Sequence, residues 1–213
     1  EIVGQLYAKY KDKMPEIICE PYPKNTLPAI TYAVNHIHSH NKDSVITVYP
    51  ADHSIKNDKT YKKAIDDIHT LAELNHIVTV GIKPLYPNIN FGYIHKSSKI
   101  DISEDIEAFN VRKFVEKPDE KNAVSFFKKG YLWNSGIYGF KSEVFLELLK
   151  KYQKKIYDLL VCDENCDIKE IYDNLDPLSI DVGLAEKIDS LVVLESNIIL
   201  SLSPKFSNVS NFL

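Results

Sequence analysis

The sequence predicts an α/β fold built on an open sheet, and three observations point to it. Short apolar runs of strand length alternate with helix-spaced apolar patterns along the chain. Val45-Ile46-Thr47-Val48 precedes a helical pattern over residues 58–74, and a second apolar run over 77–81 follows, a strand–helix–strand unit whose strands should run parallel with a right-handed crossover. The 213 residues, 44% hydrophobic and 11% aromatic, suffice for one large domain with a buried core.

The elements follow in order. Residues 2–10 carry helix-spaced Ile2, Leu6, Tyr7 and Tyr10, and residues 17–19 read as a short strand. Residues 20–26 form a proline-punctuated loop, and a helix is expected over 28–40, with Pro28 in its first turn and Thr26 as its cap. A strand over 45–49, a turn holding Asp52, a helix over 58–74 and a strand over 77–81 come next. Residues 83–105 are richer in turns and include Phe91-Gly92-Tyr93-Ile94. Strands over 111–115 and 136–140 bracket a helix over 120–129. Ser142 is the expected cap of an amphipathic helix carrying Val144, Phe145, Leu148, Leu149 and Tyr152. Beyond residue 194 the pattern decays into Ser/Asn-rich sequence, and neither an internal repeat nor a linker divides the chain.

Composition removes several function classes. A net charge of -4 and a pI near 6.0 give no electrostatic case for nucleic acid or an anionic membrane as partner. No apolar run approaches the roughly 20 residues of a membrane span. Three cysteines, Cys19, Cys162 and Cys166, make an odd count without a disulfide framework, which suits a reducing cytoplasm. Arg112 is the only arginine, so phosphate recognition would fall to lysine. His36 and His40 share a helix face but His38 does not, which argues against a three-histidine metal site. The sequence opens on Glu1 rather than Met and is expected to be a fragment or a processed product.

The chemistry concentrates in a few residues. Asp52 follows an apolar strand, and ligands of open α/β sheets sit outside the carboxyl ends of strands, so Asp52 is a candidate to hold Mg²⁺ against phosphate oxygens. A turn or cap aspartate is the plainer reading. Glu116 and Lys117 are adjacent, and strand neighbours face opposite sides, so both reach one pocket only if Pro118 breaks the strand there. Lys117 would then be a point charge for a sugar phosphate and Glu116 an acceptor for sugar hydroxyls, the alternative being a surface ion pair. Asn134-Ser135-Gly136 offers an amide beside a glycine that permits close approach, although the tripeptide is also an ordinary turn. Gly92 with Tyr93 suggests a glycine beside an aromatic wall, and Asn25 with Thr26 could line a nucleotide site or simply cap a helix.

Taken together, these blocks resemble mannose-1-phosphate guanylyltransferases of the bacterial and archaeal type. The matching stretches, in order, are Glu20-Pro21 with Asn25-Thr26 and Pro28-Ala29-Ile30, then Pro50-Ala51-Asp52-His53, then Gly81-Ile82-Lys83-Pro84 with Gly92-Tyr93-Ile94. After them come Phe114-Val115-Glu116-Lys117-Pro118, Tyr131-Leu132-Trp133-Asn134-Ser135-Gly136, and Ser179-Ile180-Asp181 with Glu186-Lys187. The resemblance implies a Rossmann-like nucleotidyltransferase fold of the GT-A kind, a three-layer sandwich with a mainly parallel central sheet. It covers residues 1–195 as a partial domain, with 196–213 as a divergent tail. It also implies GTP and mannose 1-phosphate as substrates, joined to GDP-mannose with release of pyrophosphate. Asp52 would hold Mg²⁺ and Lys117 the sugar phosphate. Glu116, Asn134, Gly92 and Tyr93 would face the sugar, and Asn25 and Thr26 the nucleotide.

Three departures qualify the resemblance. The family's Gly-rich phosphate loop is not in the sequence, and its backbone N–H groups are what cradle a triphosphate. The family's Ser-Asp-Val-Gly-Ser-Trp-like block, which carries a second metal aspartate, is replaced by unrelated tail sequence, and Asp181-Val182-Gly183 belongs to an earlier block. Lys24 stands where the family has an arginine. The expectation is a guanylyltransferase fragment that cannot turn over alone and that dimerises through an incomplete sheet. The alternative is a non-catalytic relative that binds a nucleotide sugar or regulates a full-length partner.

Overall fold

The computed structural model describes residues 16–55, 58–162, 166–198 and 200–202. The helix expected over residues 2–10 lies outside them. Residues 16–20 are irregular rather than a strand over 17–19; the short stretch is followed at once by Pro21 and Pro23, which remove two ladder donors.

Helix α1 spans Thr26–His40 and strand β1 Val45–Val48. The α1 cap is Asn25, whose side chain accepts the Thr26 N–H, and not Thr26 as expected. Thr26 Oγ1 instead accepts the Ile180 N–H at 2.9 Å. Strand β2 (His53–Ile55), helix α2 (Asp58–Glu73) and strand β3 (Ile77–Ile82) follow. The turn-rich stretch after residue 83 contains a full strand, β4 (Tyr93–Lys99), which forms a hairpin with β5 (Ala108–Val115). Helix α3 (Glu120–Lys128), capped by Asp119, leads to β6 (Leu132–Lys141) and α4 (Ser142–Tyr152). Ser142 does not cap α4; its hydroxyl donates to the Lys42 carbonyl at 3.0 Å and lies 2.8 Å from His38 Nδ1. Helices α5 (Lys154–Leu160) and α6 (Ile168–Asp173) and a π-helical turn (Asp181–Ala185) precede β7 (Leu191–Ser196). The tail also holds a strand, β8 (Leu200–Leu202), which pairs antiparallel with β2.

The sheet order is β1-β6-β3-β7-β5-β4, and β4 also pairs with the start of β6. Strands β1, β3, β7 and β4 run in one direction, while β6 and β5 run the other way between them. The sheet is therefore mixed rather than mainly parallel, because β6 is inserted between β1 and β3, and β3–β7 is the parallel pairing among the described residues.

Both faces of the sheet are covered. Val78 and Val80 of β3, Val192 and Leu194 of β7 and Ile137 of β6 pack with Ala64, Ile68 and Leu71 of α2. The alternate positions Ile77, Leu191, Val193, Tyr138 and Phe140 face Leu27 and Val34 of α1 and Phe145 and Leu149 of α4. Period-two alternation on strands buried on both sides yields the expected three layers. Contact between α2 and β6 depends on Gly139, where a Cβ would overlap Ile68 Cγ2. No helix among the described residues is long and apolar enough to cross a membrane.

Candidate functional site

Strand β5 stops at Val115, and Lys117 then adopts φ 43°, a left-handed conformation that is uncommon for a side chain with a Cβ. The ladder breaks before buried Pro118, as its missing N–H requires. This turn lets two consecutive residues face the same side. Lys117 Nζ lies 3.7 Å from Glu116 Oε1, with Glu116 largely covered and Lys117 largely exposed. Local strain at such a turn is a common mark of functional sites.

Gly92 forms the neighbouring wall. Its carbonyl accepts the Asn134 N–H at 2.8 Å, and a Cβ placed on Gly92 would stand 2.6 Å from Glu116 Oε2 and 3.3 Å from the Asn134 Cβ. Gly92, Glu116, Lys117 and Asn134 are thus brought together at the ends of β4, β5 and β6. Tyr93 is not part of this wall. Its ring is buried with Phe126 and Trp133, and its hydroxyl exchanges hydrogen bonds with the Asn88 backbone, because the side chain following Gly92 on the strand points to the opposite face.

Asn134 has little hydrogen-bonding capacity left. Its Oδ1 accepts from Thr79 Oγ1 at 2.7 Å and from the Gly136 N–H at 3.3 Å. Its Nδ2 donates to Asp181 Oδ1 at 2.8 Å and to the Tyr138 hydroxyl at 3.2 Å. Tyr138 in turn donates to Asp181 Oδ1 at 2.7 Å.

Asp181, Glu186, Tyr138 and Thr79 are members of the site that motif reading misses. Asp181 and Glu186 are visible in a matched block, but no local signal shows that the π-helical turn carries them to the end of β5. Glu186 Oε1 accepts the Glu116 N–H at 2.8 Å. Burial pushes the Glu116 carboxyl up to about 7, with the Asp181 and Glu186 charges adding to the rise and Lys117 opposing it. Burial also raises Asp181, against the donation from Tyr138 and the charge of Lys117. Three carboxylates, of Glu116, Asp181 and Glu186, and the Lys117 ammonium therefore share one partly buried patch beside Gly92.

Asn25 and Thr26 lie next to the same turn from the other side. Leu27 N–H donates to Leu178 O at 2.9 Å, Leu178 N–H donates to Lys24 O at 3.1 Å, and the Thr26 hydroxyl holds Ile180, the residue before Asp181. Lys24 itself donates to the Leu175 carbonyl at 2.6 Å. Asp52 is half-buried in the turn after β1, and the turn reaches the site through Pro50, whose Cγ would be 3.0 Å from a Cβ on Gly136. Among the described residues no cluster of three or more His, Cys, Asp or Glu side chains is arranged to hold a metal. A Mg²⁺ ion takes one or two carboxylates and completes its shell from substrate oxygens and water, so a single carboxylate such as that of Asp52 has the chemistry such an ion needs.

Residues 3–173 match the nucleotidyl transferase family. The chain belongs to that family. Among curated relatives, this nucleotidyltransferase chain is 39% identical to mannose-1-phosphate guanylyltransferase of Escherichia coli over 168 residues, 78% of this chain and 35% of that protein. It is 37% identical to alginate biosynthesis protein AlgA of Pseudomonas fluorescens over 161 residues, 75% of this chain and 33% of that one. The chain spans about a third of the length of these relatives. A solved structure described as mannose-1-phosphate geranyltransferase from Thermus thermophilus superposes with a TM-score of 0.82 at 25% identity, covering 93% of this chain and 57% of that one. Mannose-6-phosphate isomerase from Helicobacter pylori superposes with a TM-score of 0.78 at 27% identity, covering 93% and 78%. The expected nucleotidyltransferase fold and the resemblance to guanylyltransferases both hold.

Proposed function

We propose that the chain supplies the sugar-phosphate side of a nucleotidyltransferase that joins GTP and mannose 1-phosphate into GDP-mannose and pyrophosphate. The observation that supports it most is the left-handed turn at Lys117, which aims Glu116 and Lys117 into one patch beside Gly92. An ammonium next to hydroxyl acceptors, against a glycine that lets a ring approach, suits a phosphorylated sugar.

In this reading a phosphate oxygen of the sugar phosphate attacks the α-phosphorus of GTP. The new P–O bond forms as the bond to the β-phosphate bridging oxygen breaks, and pyrophosphate leaves in line. The protein's work is positioning and charge compensation. Lys117 holds the sugar phosphate, Glu116 accepts from sugar hydroxyls, and Asn25 and Thr26 lie toward the nucleotide. Asp52 would hold Mg²⁺, which when bound neutralises phosphate charge. The reaction belongs in the cytoplasm, where nucleoside triphosphates are available.

The test is backbone NMR of the isotope-labelled chain with added mannose 1-phosphate. Saturable shifts clustered at Gly92, Glu116, Lys117 and Asn134 are expected. Saturable shifts confined to another part of the chain would overturn the assignment.

A further inference from the structure

We propose that Asp181 reads a sugar hydroxyl directly, beside Glu116, and that Asn134, Tyr138 and Thr79 are positioning residues that hold it there. The proposal rests on the sugar-phosphate reading above and differs from the motif-based expectation that the Asn134 amide contacts the sugar.

The hydrogen-bond inventory of Asn134 carries it. A primary amide offers two hydrogens and a carbonyl oxygen with two lone pairs. Both hydrogens have acceptors within the protein, Asp181 Oδ1 and the Tyr138 hydroxyl. The carbonyl receives the Thr79 hydroxyl and the Gly136 N–H. A sugar hydroxyl would have to displace one of these partners, each already placed by β3, β6 or the π-helical turn.

Asp181 is the opposite case. The Tyr138 and Asn134 side chains both converge on Oδ1, and a carboxylate has about four acceptor positions. Asp181 is half-buried, so it stays reachable while Tyr138 behind it is 1% exposed. A carboxylate taken partly out of water needs donors, and those it has here, the Tyr138 hydroxyl, the Asn134 amide and its own backbone N–H, are all neutral. A hydroxyl donor from a ligand would complete its shell. The nearby charge pattern agrees: of the charges around Glu116, that of Asp181 acts on it most strongly, and Lys117 acts on both carboxylates. A ring seated against Gly92 with its phosphate on Lys117 would present hydroxyls to two acceptors rather than one.

The chain of contacts also explains why the positioning residues are what they are. Thr79 is fully buried on β3, and its one hydroxyl hydrogen is shared between Asn134 Oδ1 at 2.7 Å and the Ile137 carbonyl at 3.1 Å, the shorter contact being to Asn134. This orientation fixes which end of the Asn134 amide faces Asp181. Donation from Tyr138 then favours the ionised form of Asp181 against burial.

The experiment measures affinities of the chain for mannose 1-phosphate and for its 2-, 3-, 4- and 6-deoxy analogues, with Lys117→Ala as reference. Asp181→Ala is expected to weaken mannose 1-phosphate about tenfold or more. One deoxy analogue that binds the parent chain weakly should bind Asp181→Ala no worse than mannose 1-phosphate does, since that hydroxyl no longer has its acceptor. Asp181→Asn, which keeps an oxygen for Tyr138, serves if the alanine variant does not fold, and should show the same pattern in milder form. Tyr138→Phe should move the acid limb of the binding pH profile to higher pH relative to the parent. The titrating and charged groups facing Asp181 are Glu116 and Lys117 from the turn after β5, Tyr138 from β6, and Glu186, whose N–H donates to the Asp181 carbonyl at 2.9 Å. The ligand's own phosphate ionisation is common to both proteins and cancels. Parent-like affinity of Asp181→Ala for every analogue, with Lys117→Ala weakened, overturns the proposal and leaves the sugar-phosphate reading standing. Failure of the parent chain to bind any of these ligands overturns both.

Discussion

Glu186 accepts the backbone N–H of Glu116 through Oε1 at 2.8 Å, so one acidic residue anchors the main chain that presents another. The bond lies at the break in the β5 ladder, where the Glu116 amide has lost its strand partner. The anchor is also a negative charge that helps raise the Glu116 carboxyl to about 7. Glu186→Gln keeps an oxygen acceptor and removes the charge. Carbon-detected NMR titration should then find Glu116 ionising below its position in the parent chain. An unmoved Glu116 titration would show that Glu186 acts on the backbone alone.

Glu116 should make the fold less stable as pH rises. Its carboxyl is ordinarily near 4.5 and stands at about 7 in the folded chain. Below the unfolded value both states are protonated and the group contributes nothing. Between the two values the unfolded state loses its proton first, so stability falls until the folded value is passed, by on the order of 3 kcal/mol. Glu116→Gln should therefore raise the melting temperature at pH 8 and change it little at pH 4.5. Equal shifts at both pH values would contradict this.

Gly92→Ala tests the geometry of the wall. The new methyl would sit 2.6 Å from Glu116 Oε2 and 3.1 Å from Phe114 Cζ, so the Glu116 side chain must move. Overpacking of this kind costs about 1–3 kcal/mol, and mannose 1-phosphate affinity should fall by about tenfold or more as the acceptor is displaced. Calorimetric titration at matched folded fractions reads both effects, and an unchanged affinity would take Glu116 out of the site.

Strand β1 is paired with β6 on one side, and all four of its residues are only half-buried, while β3 and β7 are buried along most of their length. Among the described residues β1 ends the sheet, and an apolar strand edge is a template for another chain. Sedimentation over a concentration series should show reversible self-association. A single monomeric species up to high concentration would show that this edge is protected.

Much of the fold is legible in the sequence because period-two and period-3.6 patterns are local. Residues 45–48, 77–81 and 142–152 declare their elements through spacing alone. Strand order is not legible: β6 enters between β1 and β3 by pairing over a long sequence separation, which no local pattern encodes. At the site, Pro118 correctly marks the break that lets Glu116 and Lys117 face together. Tyr93 departs from its expected place because strand alternation turns it away from Gly92. Asp181 escapes motif reading because its importance comes from a hydroxyl and an amide more than 40 residues away in sequence. The tail reads as unrelated sequence, yet Ser207-Asn208-Val209-Ser210-Asn211-Phe212 keeps the serine, the valine and a closing aromatic of a Ser-Asp-Val-Gly-Ser-Trp block in step. Asn208 stands at the carboxylate position, where a neutral amide is a poorer magnesium ligand.

We propose that Lys117 and its surroundings bind a sugar phosphate. The most direct test of this is the affinity of the chain for mannose 1-phosphate by ligand-observed NMR, parent against Lys117→Ala. Loss of a charged phosphate partner is worth about 1.5–3 kcal/mol, so the variant should bind roughly tenfold or more weakly, at an unchanged melting temperature. Equal affinities for the two proteins would remove Lys117 from the site.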